Sequence, residues 1–140
     1  MNKVLVDTDI IYDLLAHRMP YYTSAAKLFT LADKQKTTIF ISALTVPNLN
    51  YLLTKFKSAR DAKKILNQFK VLINIIPLNE KIIDLALNSD FKDLEDAIQH
   101  YSAIENNVEI ILTRKLKDYK NSQIPVMTAE DFVKAFFNSK

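Results

Sequence analysis

Glycine and cysteine are both absent from this 140-residue chain, and each absence excludes a class of site. Without glycine, neither the P-loop nor the glycine-rich fingerprint of dinucleotide-binding proteins can be present. Without cysteine there is no disulfide framework, no thiolate metal site and no cysteine nucleophile. Any chemistry on phosphate groups must therefore depend on other side chains, on metal ions or on helix N-termini.

Long apolar runs are missing as well. No stretch approaches the roughly 18 apolar residues that indicate a membrane span, and the first residues are too short and too acidic for a signal peptide. We therefore expect a cytoplasmic protein that does not associate with a membrane. The composition, 49% hydrophobic and 25% charged, is typical of a globular protein. A chain of this length predicts a single domain, residues 1–140.

Neither sign of charge dominates. The chain has 19 basic and 16 acidic residues, which leaves a net charge of +3. The isoelectric point of about 9.0 is compatible with an anionic partner such as RNA but does not identify one.

Short apolar segments alternate with amphipathic ones along the whole chain. The first, residues 4–6, predicts a strand buried on both faces. Strands alternating with helices predict an α/β protein with three layers, α/β/α, around a mainly parallel sheet of about four to five strands. Further strands are predicted at 38–41, 71–76, 109–112 and 124–127, and helices are expected to be capped by Thr23 or Ser24, Ser58, Asn79, Asp93 and Thr128.

Acidic residues follow several of these predicted elements. Asp7 and Asp9 end the first strand, Asp93 and Asp96 begin a late helix, and Asp118 lies in the loop after a later strand. In a parallel sheet these places can converge on the carboxyl edge, where ligands bind. Clustered carboxylates repel each other unless a cation neutralises them. Oxygen-only ligands suit Mg²⁺ or Mn²⁺, and such an ion can activate water to attack a phosphate ester.

All of these acids except Asp96 also have a purely structural interpretation. Asp7 and Asp93 are well placed to cap the helices that follow them. Asp118 has the neighbours Arg114, Lys115 and Lys117, and an acid among basic residues is commonly a solvated surface charge.

Five segments, in their order and spacing, resemble the PIN domain family. They are residues 4–9 (VLVDTD), 41–45 (ISALT), 93–97 (DLEDA), 111–115 (ILTRK) with Asp118, and 124–128 (IPVMT). The resemblance covers nearly the whole chain and is nearest to the small stand-alone prokaryotic PIN proteins, of which the VapC-like toxins of toxin–antitoxin pairs are the best-known kind. It implies a ribonuclease dependent on Mg²⁺ or Mn²⁺, with Asp7, Asp96 and Asp118 as catalytic and metal-binding acids and Thr113 as the hydroxyl beside them.

Three residues depart from the family pattern. Many members carry an acid early in the helix after the second strand, where this chain has the uncharged Asn48. The family often has asparagine at the positions of Asp9 and Lys115, and Asp9 could supply the charge that Asn48 lacks. Asp9 and Asn48 are therefore further candidate metal ligands, and the resemblance implies Asp93 as a candidate at the outside of the site.

The resemblance also implies partners. RNA would be the substrate, with Arg18, Arg114, Lys115 and Lys117 as candidate contacts. A toxin would have a cognate antitoxin protein. A homodimer is expected as well, through exposed Ile, Leu and Tyr side chains of the first helices.

Two other functions fit parts of the sequence. A catalytically weakened or inactive PIN-like module that binds RNA or protein is favoured by Asn48. A haloacid-dehalogenase-like phosphatase would use Asp7 as a nucleophile and Asp9 as an acid. The second ranks lower because its Thr or Ser should precede a late acidic pair, whereas Thr113 follows Asp96.

Overall fold

Five parallel strands form one sheet in the computed structural model of this chain, which describes residues 2–138. The strands are β1 (Asn2–Val6), β2 (Thr37–Ser42), β3 (Asn74–Ile76), β4 (Ile110–Leu112) and β5 (Val126–Met127). The helices are α1 (Thr8–Leu15), α2 (Tyr22–Asp33), α3 (Thr45–Thr54), α4 (Ala59–Phe69), α5 (Glu80–Leu87), α6 (Leu94–Glu105) and α7 (Ala129–Asn138), with 3₁₀ turns at Lys70–Leu72 and Leu116–Tyr119.

The order of the strands, β3-β2-β1-β4-β5, places β1 at the centre of the sheet. The chain leaves β1 towards β2 and β3 on one side and returns to β4 and β5 on the other. This reversal creates a crevice at the carboxyl ends of β1 and β4, the place where α/β proteins bind ligands. Because Val6 pairs with Leu112, the residues that follow the two strands, Asp7 and Thr113, are neighbours in that crevice.

β1 is buried on both faces, as its composition predicts. Val4 and Val6 pack into one hydrophobic cluster, and Leu5 packs into another on the opposite face of the sheet. All three are fully buried. Helices therefore cover both faces, and the predicted three-layer α/β/α fold is confirmed. None of the helices within residues 2–138 is long and apolar enough to cross a membrane.

Most of the predicted helix caps are present. The Ser58 and Asn79 side chains accept hydrogen bonds from the backbone N–H groups of Asp61 (3.1 Å) and Ile82 (2.9 Å). Thr128 caps α7 in the same way. The prediction of a cap at Thr23 or Ser24 is wrong, because α2 begins one residue before Thr23 and no side chain caps it.

Two other expectations need correction. The apolar segment 71–76 forms a strand only from residue 74, since Val71 lies in a 3₁₀ turn and is 81% exposed. The isoleucines of the first helix, Ile10 and Ile11, are buried in the core and cannot form a dimer surface. The exposed large apolar side chains after that helix are Met19 and Tyr21.

Three helices end in a left-handed residue although the chain has no glycine. His17, Gln35 and Asn107, which follow α1, α2 and α6, have φ angles of 53°, 59° and 57°. After α2, the N–H of Lys36 donates to the carbonyl of Leu31 (2.8 Å), the Schellman arrangement that glycine usually makes. A residue with a Cβ is strained in this conformation.

Candidate active site

Asp7 lies at the end of β1 and at the N-cap position of α1, but its carboxylate makes no capping hydrogen bond. The residue is only 1% exposed. Its Oδ2 accepts a hydrogen bond from Thr113 Oγ1 (2.7 Å), and its Oδ1 accepts one from Gln99 Nε2 (3.1 Å). The carboxylate is therefore held by groups of the crevice and not by the helix that follows it.

Thr113 is the fixed hydroxyl of this crevice. Its backbone N–H donates to the carbonyl of Met127 (2.9 Å). Its hydroxyl oxygen accepts a hydrogen bond from the Lys115 backbone N–H (3.0 Å). The hydroxyl proton is thereby directed to Asp7, as the short distance between these side chains shows.

Asp96 comes from the first turn of α6. Asp93 caps this helix, since its Oδ1 accepts a hydrogen bond from the Asp96 backbone N–H (2.9 Å). Asp96 itself is 1% exposed, and its Oδ1 accepts a hydrogen bond from Tyr119 (3.3 Å). Its Oδ2 is buried and has no hydrogen-bond partner within residues 2–138. Burial, the largest influence, raises the pKa of Asp96.

Lys115 joins the two buried acids. Its Nζ is 2.9 Å from Asp96 Oδ1 and 3.8 Å from Asp7 Oδ2. Burial alone would lower the pKa of Lys115, but the facing carboxylates raise it above its ordinary value. Burial and the same two negative charges raise the pKa of Tyr119. The crevice therefore holds a charged ammonium and a protonated phenol against its carboxylates.

The side chain of Asn48 contacts a carboxylate from another helix. Its Nδ2 donates to Glu95 Oε1 over 2.7 Å. Burial and the negative charge of Asp7 raise the pKa of Glu95. A carboxylate therefore lies next to the uncharged Asn48, although it comes from α6 and not from α3.

Asp118 and Asp9 are less buried than Asp7 and Asp96. Asp118 is exposed in the 3₁₀ turn, where it lines a cleft of about 730 Å³ together with Asp93. Asp9 is partly buried in the first turn of α1. Across residues 2–138, no three His, Cys, Asp or Glu side chains are grouped so that they could hold a metal ion. The structure thus brings together Asp7, Asp96 and Thr113, and leaves Asp118 in the neighbouring cleft.

The two arginines expected to contact RNA both lie against a buried acid. Arg114 makes a bidentate pair with Asp13, with distances of 2.9 and 3.2 Å, and its guanidinium lies 4.0 Å from the centre of the Tyr21 ring. Arg18 approaches the same carboxylate at 3.6 Å. Burial raises the pKa of Asp13, and Arg114 acts in the opposite direction. Lys117 is exposed and lines the cleft beside Asp118.

Sequence reasoning missed several groups of this site. Gln99 could have been found, because it lies three residues after Asp96 and such residues share a face of a helix. Tyr119 follows Asp118 directly, but nothing in the sequence shows that its hydroxyl reaches α6. The pairing of Glu95 with Asn48 and of Arg114 with Asp13 spans distant elements and leaves no local signal.

Known proteins resemble this chain over most of its length. Residues 3–117 match the PIN domain family. Ribonuclease VapC1 of Aquifex aeolicus (strain VF5) is 28% identical over 139 residues, which cover 94% of this chain and 93% of that protein. A toxin–antitoxin complex from Klebsiella pneumoniae has a TM-score of 0.67 at 25% identity and covers 90% of this chain and 97% of that one.

A further solved structure supports the fold alone. DNA-bound VapBC from Salmonella typhimurium has a TM-score of 0.70 at 13% identity, covering 92% of this chain and 99% of that one. The sheet order, the crevice at β1 and β4, and the family match over residues 3–117 lead to the same assignment. The chain belongs to the PIN domain family.

Proposed function

We propose that this protein is a metal-dependent ribonuclease and the toxin of a toxin–antitoxin pair. The observation that carries the proposal is the buried pair Asp7 and Asp96, joined by a cation at the carboxyl edge of a parallel sheet. Two carboxylates at a buried place are unfavourable unless a positive charge offsets them. Such a pair in the ligand-binding crevice is therefore better explained by function than by stability.

The donor atoms of this pair fit a hard divalent ion. Carboxylate oxygens are the ligands that Mg²⁺ and Mn²⁺ prefer, and Asp96 Oδ2 is a buried oxygen without a partner within residues 2–138. Mg²⁺ is commonly bound through one or two carboxylates together with substrate phosphates and water. Asp7 and Asp96 would hold the ion, with Asp118, Asp9, Asp93 and Asn48 as further candidate ligands.

The side chains would divide the work of phosphodiester hydrolysis. A bound ion would neutralise charge on the scissile phosphate and activate water. Thr113 and Gln99 hold the Asp7 carboxylate in one orientation by donating to its two oxygens. Burial raises the pKa of Asp96 in the metal-free site, whereas a bound divalent ion would act in the opposite direction and keep this carboxylate ionised for coordination.

The RNA would lie in the cleft beside Asp118. Three lysines, Lys92, Lys117 and Lys120, line this cleft and could bind phosphate groups. Arg18 and Arg114 are weaker candidates than the sequence suggests, since both are engaged with Asp13. Lys115 would have to leave its carboxylates before it could contact RNA.

The relatives support an antitoxin partner. One is named as a ribonuclease, and one solved structure of the same fold is a toxin–antitoxin complex. We expect the protein to act in the cytoplasm, with an antitoxin encoded by an adjacent gene, and to form a homodimer through the apolar surface after α1. The haloacid-dehalogenase-like alternative has no support, because the chain belongs to a different family.

Cleavage of a structured RNA tests the proposal. Wild type, Asp7→Asn and Asp96→Asn are incubated with the RNA in Mg²⁺ or Mn²⁺, and the exposed Asp33→Asn is the matched control. We expect cleavage by wild type and by the control, and at least about a hundredfold less by the two site variants. If wild type binds the metal and the RNA but cuts no more than the site variants, the ribonuclease proposal is wrong.

A non-catalytic PIN module is the second candidate. It is favoured by one arrangement: Asn48 is uncharged, and Lys115 occupies the position between the two buried acids. Such a module would bind RNA or the antitoxin without cutting. The same experiment separates the two functions, because it would then show RNA binding that is unaffected by the choice of metal and no cleavage.

A further inference from the structure

Lys115 is placed unusually for a surface lysine. Its side chain is 34% exposed, yet its ammonium lies 2.9 Å from Asp96 and 3.8 Å from Asp7, both 1% exposed. These are the same two carboxylates that would hold a divalent ion. Thr113 and Tyr119 donate to the same two oxygens that the ammonium faces, and Gln99 donates to Asp7 Oδ1, but these three donors carry no formal charge. The ammonium is therefore the group whose position conflicts with a metal ion.

We propose that the Lys115 ammonium and a divalent ion compete for Asp7 and Asp96, so that the ion binds only when this side chain withdraws. The inference rests on the metal-dependent function proposed above and identifies what controls metal affinity at that site. Lys115 would act as a tethered cation that stabilises the metal-free site and raises the metal concentration at which the site fills.

Electrostatics makes simultaneous binding unfavourable. A unit positive charge and a divalent ion about 4 Å apart repel each other strongly at the effective dielectric near a protein surface. Asp96 Oδ2 has no partner within the described part of the chain, so an ion could reach it. The ion would then lie next to the ammonium that binds the other oxygen of the same carboxylate. One of the two cations has to leave.

The side chain can withdraw without moving its loop. Lysine has a flexible four-carbon stem, and a third of this side chain already faces solvent. The backbone on either side is fixed. The Lys115 N–H donates to Thr113 Oγ1 (3.0 Å), and the buried Tyr119 holds the end of the 3₁₀ turn against Asp96. The expected change is therefore a rotation of one side chain.

Metal affinity measured without RNA tests the competition. Isothermal titration with Mn²⁺ compares wild type, Lys115→Met and the charge-matched control Lys64→Met, which removes an exposed lysine of α4. Methionine keeps the apolar stem and removes the charge. We expect Lys115→Met to bind Mn²⁺ at least about tenfold more tightly than wild type, and the control to bind like wild type. Equal affinities in all three proteins, or no Mn²⁺ binding by any of them, would overturn the proposal.

A second variant and a measurement on the wild-type protein cover the case in which Lys115→Met does not fold. The second variant, Lys115→Gln, keeps a hydrogen-bond donor and is titrated with Mn²⁺, with the same expectation as for Lys115→Met. In ¹⁵N-labelled wild type, the Nζ resonance of Lys115 is followed during titration with diamagnetic Mg²⁺. We expect it to shift towards the position of solvated lysines as Mg²⁺ binds. If Mg²⁺ binds and this resonance does not move, the two cations do not compete.

These results separate the inference from the proposed ribonuclease function. If Lys115→Met binds Mn²⁺ more tightly but neither protein cuts RNA, the competition is supported and the ribonuclease proposal is wrong. If RNA is cut and the Mn²⁺ affinities are equal, the competition is wrong and the ribonuclease proposal is supported.

Discussion

Thr113 Oγ1 lies 2.7 Å from Asp7 Oδ2, although the two residues are 106 positions apart in the chain. The sheet explains this closeness. β1 and β4 are adjacent parallel strands, and Val6 pairs with Leu112, so the next residue of each strand enters the same crevice. The hydroxyl therefore ties the central strand to its neighbour at the point where the proposed chemistry takes place.

Removal of this hydroxyl should destabilise the protein. Thr113→Val keeps the shape of the side chain but removes the donor to a buried carboxylate, which should lower the free energy of unfolding by about 1–3 kcal/mol. Thr113→Ser keeps the hydroxyl and should lose less. Urea unfolding followed by circular dichroism measures both. If Thr113→Ser lost more stability than Thr113→Val, the methyl group would matter more than the hydrogen bond.

Removal of the buried ion pair between Arg114 and Asp13 should destabilise the protein. Arg114→Met leaves the Asp13 carboxylate, which is 1% exposed, with Arg18 at 3.6 Å as its remaining ion-pair partner within residues 2–138. Breaking a buried pair in this way typically lowers stability by about 3–5 kcal/mol, and the partial exposure of Arg114 places our expectation at about 2–3 kcal/mol. The double variant Arg114→Met with Asp13→Asn should recover part of this loss in a double-mutant cycle. If the two effects simply add, the residues are not coupled.

The site divides into what local patterns could predict and what they could not. Asp7 and Asp96 follow from local signals, since one ends an apolar strand and the other lies in the first turn of a helix. Their convergence follows from the alternation of strands and helices. The position of the Lys115 side chain does not follow from the sequence, because a flexible side chain in a basic loop can point to solvent or to the crevice with equal ease. Only the three-dimensional arrangement shows that it faces two acids.

The same division holds for the fold. Ser58 and Asn79 were predictable as caps because capping depends on residues only three positions apart. The first residue of β3 could not be predicted, because the whole segment 71–76 is apolar enough to form a strand. Pairing with β2 extends only from Asn74 to Ile76, and that limit is set by the partner strand.

His100 should make stability depend on pH. It is fully buried against the rings of Phe91 and Tyr101, and burial lowers its pKa from 6.5 to about 4. Between these values the unfolded chain binds a proton that the folded protein does not. Above pH 6.5 this histidine is neutral in both states and does not lower the free energy of unfolding. As pH falls from 6.5 towards 4, its protonation in the unfolded chain lowers that free energy.

The variant His100→Gln tests this pH dependence, since glutamine can still accept the hydrogen bond from the Gln123 N–H. Glu95 and Asp96, whose pKa values are raised by burial, act in the opposite direction, so the quantity to follow is the difference between variant and wild type. From pH 7 to pH 4 wild type should lose up to about 3 kcal/mol relative to the variant. Parallel pH curves in urea unfolding would contradict the assignment.

Glycine at position 35 should stabilise the protein. Gln35 is exposed and has a φ of 59°, where a residue with a Cβ is strained by about 1 kcal/mol. Gln35→Gly should therefore raise the free energy of unfolding. The neighbouring Lys34→Gly is the control, because Lys34 has a φ of −83° and gains nothing from glycine. The melting temperatures of the two variants are measured by thermal unfolding. Equal melting temperatures for Gln35→Gly and Lys34→Gly would mean that Gln35 is not strained.

Asn48→Asp examines the residue at which this chain departs from its family. Asn48 Nδ2 now donates to Glu95 Oε1 over 2.7 Å, whereas an aspartate would face that carboxylate with a second negative charge. We expect a loss of about 1–2 kcal/mol at pH 7. The loss should be smaller near pH 4.5, because the repulsion further raises the pKa of Glu95, already raised by burial, and protonation removes one charge.

The neutral variant Asn48→Ala separates repulsion from the lost hydrogen bond. It should lose less stability than Asn48→Asp at pH 7 and should show less change on going to pH 4.5. Millimolar Mn²⁺ should then raise the melting temperature of Asn48→Asp more than that of wild type, because facing carboxylates of residues 48 and 95 create a site for a hard cation. If Mn²⁺ affects the two proteins equally, the Glu95 carboxylate does not take the place of the acid that this chain lacks at position 48.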